Sequence, residues 1–129
     1  MNEDGTAQQS LYKRLGGYDV IAAIVADLFQ RLKEDPLFAR FGPGRSLDSK
    51  IRVQQLTVEQ LCALAGGPCV YLGRDMRTSH RGLSITPSEW QANREHALHV
   101  LRLHGVGEPE QSEFLELFER YRGEIVENP

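Results

Sequence analysis

His80 stands in the segment of this chain best arranged to do chemistry. The run Gly66-Gly67-Pro68-Cys69-Val70-Tyr71-Leu72-Gly73-Arg74-Asp75-Met76-Arg77-Thr78-Ser79-His80-Arg81-Gly82 ends one helix, crosses a glycine-punctuated loop and starts a short second helix. Two glycines and a proline stop the first helix, and Asp75 is placed to cap the second. Met76 and His80, four apart, share one face of that second helix, so the imidazole can face a pocket. Neutral imidazole is a common metal ligand, and ligation is the chemistry this residue would perform. Taken alone, a helical histidine is more often solvated or satisfied in a core. His96, His99 and His104, on one helix at surface-compatible spacing, take that reading.

Cys62 and Cys69 are the only cysteines. Two free thiols, one buried on a helix, are the expectation in a reducing cytosol. The pair brackets a helix end, however, so the alpha carbons can approach to bridging distance. With His80 they would supply three zinc donors, but no CxxC and no fourth ligand exist. No nucleophile and base at motif spacing, no glycine-rich phosphate loop and no HExxH element is present. Hydrolase and transferase chemistry therefore have no support.

The elements that must position His80 follow from patterning. With 129 residues, 40% of them hydrophobic, and no duplication, the chain suffices for one core and not for two. We expect a frayed or disordered start over residues 1–10 and one domain over 11–127. A net charge of -3 with interleaved signs argues against nucleic acid. The polar, acidic N-terminus is unlike a signal peptide, and no apolar run reaches membrane-spanning length. A cytoplasmic protein without membrane partners is expected.

Leu11 to Leu15 reads as a short helix ended by Gly16-Gly17. Val20, Ile21, Ile24, Val25, Leu28, Phe29 and Leu32 recur at helical spacing through Asp35, a wide apolar stripe that needs more than one neighbour. Asp35-Pro36 restarts a brief turn that carries Leu37, Phe38 and Phe41 towards the core. After the loop Gly42-Pro43-Gly44-Arg45, Ser46 or Asp48 caps a helix to about Ala65, with Val53, Leu56, Thr57, Gln60, Leu61 and Leu64 on its inner face. Thr86-Pro87-Ser88-Glu89 is a capping box opening a helix through about His104, with Trp90, Ala97, Leu98 and Leu101 inward. Pro109 opens a last helix whose apolar face is Phe114, Leu117, Phe118, Tyr121 and Ile125. Alternating strand patterns and hairpin dipeptides are missing. The fold is all-α, of about six helical pieces, with the long ones crossing as a sandwich.

In this ordered set the chain resembles the group I truncated haemoglobins, small globins with two helices crossed over two. The resemblance spans Leu11 to Glu127. It rests on Leu11-Tyr12 with Leu15-Gly16-Gly17, the helix end Asp27-Leu28-Phe29, the Phe41 turn, Gly66-Gly67-Pro68 followed by Tyr71, Met76 four residues before His80, and Gly82. It implies haem b (iron protoporphyrin IX) as cofactor and His80 as the proximal ligand to its iron, with the other ring nitrogen held by a nearby carbonyl. It also implies that Phe41 stacks on the haem and that Tyr71 can reach a propionate. Val53, Leu56 and Met76 complete the cofactor-binding set, and Phe29, Val53 and Thr57 form the distal pocket. Phe41 suits ordinary core packing equally well, and Trp90 reads as core. Lys50, Arg52, Arg45 and Arg77 flank the expected haem edge, where a cation suits a carboxylate.

Phe29 departs from the family. Relatives commonly carry a tyrosine there, whose hydroxyl serves the bound gas, often with a glutamine or histidine opposite. Counted back from Gly66-Gly67-Pro68, the resemblance implies that Val53 and Thr57 stand over the iron and that Leu56 takes the place of a histidine found in some relatives. The distal side is thus apolar save for Thr57, unless Gln54, Gln55 or Gln60 swings in.

The resemblance implies a protein that binds diatomic gases (oxygen, nitric oxide, carbon monoxide) for binding or transport, as a monomer or weak dimer. It also permits a nitric oxide dioxygenase or peroxidase-like enzyme served by an external reductase, or a haem-based gas sensor. A haemless helical interaction module is the contrasting class, against which His80, Phe41 and Tyr71 argue.

Overall fold

The computed structural model describes residues 9–41 and 47–127. The Gly42-Pro43-Gly44-Arg45 loop and the cap expected at Ser46 or Asp48 fall outside the described residues and side chains, as does most of the segment expected to be frayed at the start.

Among the described residues seven α-helices follow one another: α1 (Leu11–Leu15), α2 (Tyr18–Glu34), α3 (Leu47–Leu64), α4 (Met76–His80), α5 (Pro87–Leu103), α6 (Glu108–Glu119) and α7 (Arg122–Ile125), with a 3-10 helix Pro36–Phe41 after α2. No strand occurs among the described residues; Ile85 and Val126 make a single parallel bridge.

Local chemistry sets the boundaries. Ser10 caps α1 by accepting from the Lys13 N–H at 3.2 Å. Gly16 ends that helix at φ +114°, a conformation costly for any residue with a side chain. Thr86 and Glu89 form the reciprocal capping box of α5. Asp75 occupies the N-cap position of α4 in extended conformation, though its side chain makes no capping bond.

α2 packs on α3 and on α5, and α5 packs on α6, which gives two crossed pairs. Ile21, Ile24, Val25 and Leu28 of α2 meet Val58 and Leu61 of α3, Ala97, Val100 and Leu101 of α5, and Phe114 and Leu117 of α6 in the main core. A second, smaller cluster holds Met76, Trp90 and Ile125, with Tyr71, Ile85, Phe118, Tyr121 and Val126 against it. It is the platform on which α4 rests. Arg14 anchors α1 to α6 through Glu110 at 2.8 Å and Glu113 at 2.5 Å.

The structure corrects four expectations. Cys62 and Cys69 are joined in a disulfide rather than free. The free-thiol reading rested on the compartment, whereas the close of α3 brings the two alpha carbons to 5.8 Å. The last helix does not run on to Ile125 but breaks at Arg120-Tyr121, so that α7 turns towards α4. The inner face of α3 is rotated: Val58, Leu61, Cys62 and Ala65 are buried, while Val53 is 39% exposed. Finally, the Pro36–Phe41 turn buries none of its residues, and Leu37 is 44% exposed. Its apolar groups are therefore not core residues.

Candidate functional site

The short helix α4 ends on His80, which is half-buried. Its Nδ1 lies 2.9 Å from the Met76 carbonyl oxygen one turn earlier and 2.9 Å from the Ser79 hydroxyl oxygen. Since a carbonyl only accepts, Nδ1 carries the proton and donates, which leaves Nε2 as the ring's basic lone pair. Nε2 has no hydrogen-bond partner among the described residues. Met76 is buried in the second cluster, so the carbonyl that sets the ring is itself anchored.

The residues expected on the distal side lie on other elements, Phe29 on α2 and Val53, Leu56 and Thr57 on α3, which packs chiefly on α2, whereas α4 packs on α7. Phe29 is half-buried at the border of the main core. Val53, Leu56 and Phe41 belong to neither packed cluster. Thr57 is half-buried, and its hydroxyl donates to the Val53 carbonyl at 2.8 Å. Such back-bonding engages the hydroxyl proton of Thr57 within its own helix. Gln55 is engaged elsewhere, donating to the Tyr18 hydroxyl at 2.8 Å and to Glu59 at 3.2 Å.

Tyr71 packs against the Met76 cluster, and its hydroxyl donates to the Arg74 carbonyl. Burial pushes this phenol's pKa up. In this position the ring braces Met76. Lys50, Arg52 and Arg77 are exposed, while Arg45 lies outside the described residues. A cavity of about 420 Å³ lined by Arg77, Arg81, Gly123, Glu124, Val126 and Glu127 contains none of the predicted site residues except the flanking cation Arg77.

Sequence reasoning missed Arg40. Its guanidinium lies 4.0 Å over the Phe41 ring and makes a two-point contact with Glu89 at 2.9 and 2.8 Å. Glu89 is only 7% exposed at its side chain, and Arg40 holds its carboxyl below the usual range. A carboxylate two residues past Pro87 read as a capping residue, and nothing in the spacing announced a partner 49 residues away.

Together the helix pairs, α2 on α3 and α5 on α6, and the short helix that ends on a histidine with one nitrogen satisfied have the architecture of a small two-over-two globin. The family description "Bacterial-like globin" matches residues 10–127. The chain belongs to that family and is a group I truncated haemoglobin. It is 29% identical over 106 residues to the group 1 truncated haemoglobin GlbN of Mycolicibacterium paratuberculosis, covering 82% of this chain and 76% of that one. Identity to the group 1 truncated haemoglobin of Tetrahymena pyriformis is 25% over 118 residues, or 92% and 95% of the two chains. The Fe(III) crystal structure of the Tetrahymena pyriformis protein superposes with a TM-score of 0.83 at 24% identity, covering 92% and 98%. The haemoglobin of Chloroflexus aurantiacus gives 0.78 at 25%, covering 93% and 99%. Binding of diatomic gas at haem is the general activity of a truncated haemoglobin.

The residues present fit that cofactor. Haem needs one neutral imidazole with an available nitrogen and apolar walls for its ring system, and His80 Nε2 and the side chains of Val53, Leu56 and Phe41 are of those kinds. No helix among the described residues is long and apolar enough to cross a membrane.

Proposed function

We propose that this chain binds oxygen, nitric oxide and carbon monoxide on haem b, with His80 Nε2 as the axial ligand and a distal side that offers no proton. The observation that carries the reading is the 2.9 Å contact between His80 Nδ1 and the Met76 carbonyl. It fixes the tautomer a metal requires and strengthens the ligating nitrogen. Bound there, haem supplies an iron with one open position for a diatomic ligand. Phe41 and Leu56 would contribute apolar surface to the ring system, Met76 and Tyr71 would support the histidine, and Phe29, Val53 and Thr57 would exclude water from the gas-binding side.

With residues 11–127 acting as one domain, we read the role as oxygen or nitric oxide binding or transport by a cytoplasmic monomer or weak dimer. Nitric oxide dioxygenase or peroxidase-like turnover would require an external reductase, and a donorless distal side suits those reactions less than it suits reversible binding. Expression with haem available, followed by Soret and ferrous spectra of the wild type and His80→Ala, tests the reading. The wild type should show a five-coordinate ferrous spectrum, and the variant should lose both cofactor and spectrum. Retention of both by the variant would sink the assignment.

A further inference from the structure

A helix of five residues, of which only Met76 is buried, has little stability of its own. What fixes its last residue, His80, must come from outside. The chain leaving it is held unusually. Leu83 N–H donates to the His80 carbonyl at 3.2 Å, Gly82, two residues past the histidine, has φ +85°, and Ser84 is the one non-glycine residue at positive φ, +54°, among the described residues. A serine in that region is uncommon and persists where its surroundings over-determine it.

Two charged side chains from distant elements do so. Arg40, on the 3-10 helix, donates to the Leu83 carbonyl at 2.8 Å and the Ser84 carbonyl at 3.1 Å, while Glu89 holds the guanidinium in orientation. From the other side the Glu127 carboxylate accepts from Gly82 N–H at 3.0 Å and Ser84 N–H at 2.7 Å, and its own N–H donates to the Ile85 carbonyl at 2.9 Å. These are charge-assisted bonds, roughly twice as strong as neutral ones. Arg40 also covers the Phe41 ring, so a single residue ties Phe41 to the segment that follows His80.

We infer that Arg40 and Glu127 are positioning residues that clamp the 82–85 segment and thereby set the geometry of the bond His80 makes to iron. The inference rests on the reading of His80 as axial ligand. Arg40 couples the Phe41 side of the cofactor to the histidine side, and Glu127 closes the clamp from beyond α7. Lysine cannot replace Arg40, because a point charge does not reproduce a fork that serves Glu89, Leu83 and Ser84 together.

The test uses ferrous holoprotein and reads the iron–histidine stretching band by resonance Raman, the rate of haem transfer to apomyoglobin, and amide hydrogen exchange at Gly82 and Ser84. Arg40→Ala, Arg40→Lys and Glu127→Ala should displace and broaden the band, speed exchange at both amides, and raise haem loss roughly ten- to a hundredfold, the usual scale for groups that orient a metal ligand. Glu127→Gln keeps an acceptor oxygen and should fall between these variants and the wild type; it also supplies the reading should Arg40→Ala fail to fold. Arg14→Ala removes the α1–α6 ion pairs and should lower melting temperature without moving the band. An unmoved band in Arg40→Ala and Glu127→Gln, with the band abolished in His80→Ala, would overturn the clamp alone. A band surviving in His80→Ala would overturn the axial assignment instead.

Discussion

The Thr57 hydroxyl donates to the Val53 carbonyl at 2.8 Å, so the hydroxyl that the proposed reading sets on the distal side is spent on its own helix. On the proposed reading, in which Phe29 and Thr57 line the distal side, neither side chain supplies a donor to a polar gas ligand. Phe29→Tyr supplies one, worth about 1.5–3 kcal/mol as a charge-assisted hydrogen bond, or roughly ten- to a hundredfold in affinity. Oxygen dissociation, followed by stopped flow, should slow by about that factor, with carbon monoxide dissociation little altered. Thr57→Val should leave oxygen dissociation essentially unchanged. A large acceleration in Thr57→Val would show that the hydroxyl serves the ligand after all.

Acid sensitivity should trace in part to Glu89, one of five carboxylates among the described residues, with Asp35, Asp75, Glu113 and Glu127, held below their ordinary values. Hydrogen bonding from Arg40, the largest cause, holds the Glu89 carboxyl below the ordinary 4.5. A depressed folded-state pKa contributes stability that is fully present above the unfolded value and lost as pH falls through the folded one. Thermal melts should therefore decline from about pH 4.5 downward, and the decline should be shallower in Glu89→Gln, whose starting stability is lower.

Gly67 is required by close approach. A β-carbon there would collide with the Tyr12 ring and come within 2.8 Å of Cys62 Sγ. Gly67→Ala should cost about 1–3 kcal/mol, the usual penalty of overpacking, measured by urea unfolding under oxidising conditions. A neutral result would mean that the α3 end relaxes freely.

The Cys62–Cys69 bridge closes a short loop, with seven residues of separation. A loop of that size limits the unfolded chain by about 2 kcal/mol on the chain-entropy account. Addition of dithiothreitol, or Cys69→Ser, should lower the urea midpoint accordingly while leaving the ultraviolet helix signal in place.

Helix identities were legible because they rest on local rules: the capping box at Thr86 and Glu89, the stop at Gly16, and the 3.6-residue apolar period of α2 all operate within a turn or two. The proposed site rests in the sequence on an ordered pattern, since His80 by itself is an ordinary helical histidine. What escaped was long-range or depended on rotation about an axis. The face of α3 was misjudged because its apolar residues wrap more than half the helix, so that packing on α2 rather than periodicity chose Val58, Leu61 and Cys62 as the buried set. The break before α7 has no proline or glycine to announce it, since Arg120 and Tyr121 are both acceptable helix formers. Arg40 was invisible because its partners, Glu89, Leu83 and Ser84, lie more than forty residues away.

The single tryptophan, Trp90, sits in the same cluster as Met76, with its indole N–H donating to Glu119 at 3.1 Å. Porphyrins absorb where an indole emits. The fluorescence of this one side chain is consequently an internal light meter, dimmed while the prosthetic group is seated and bright once it departs, with no dye or label attached.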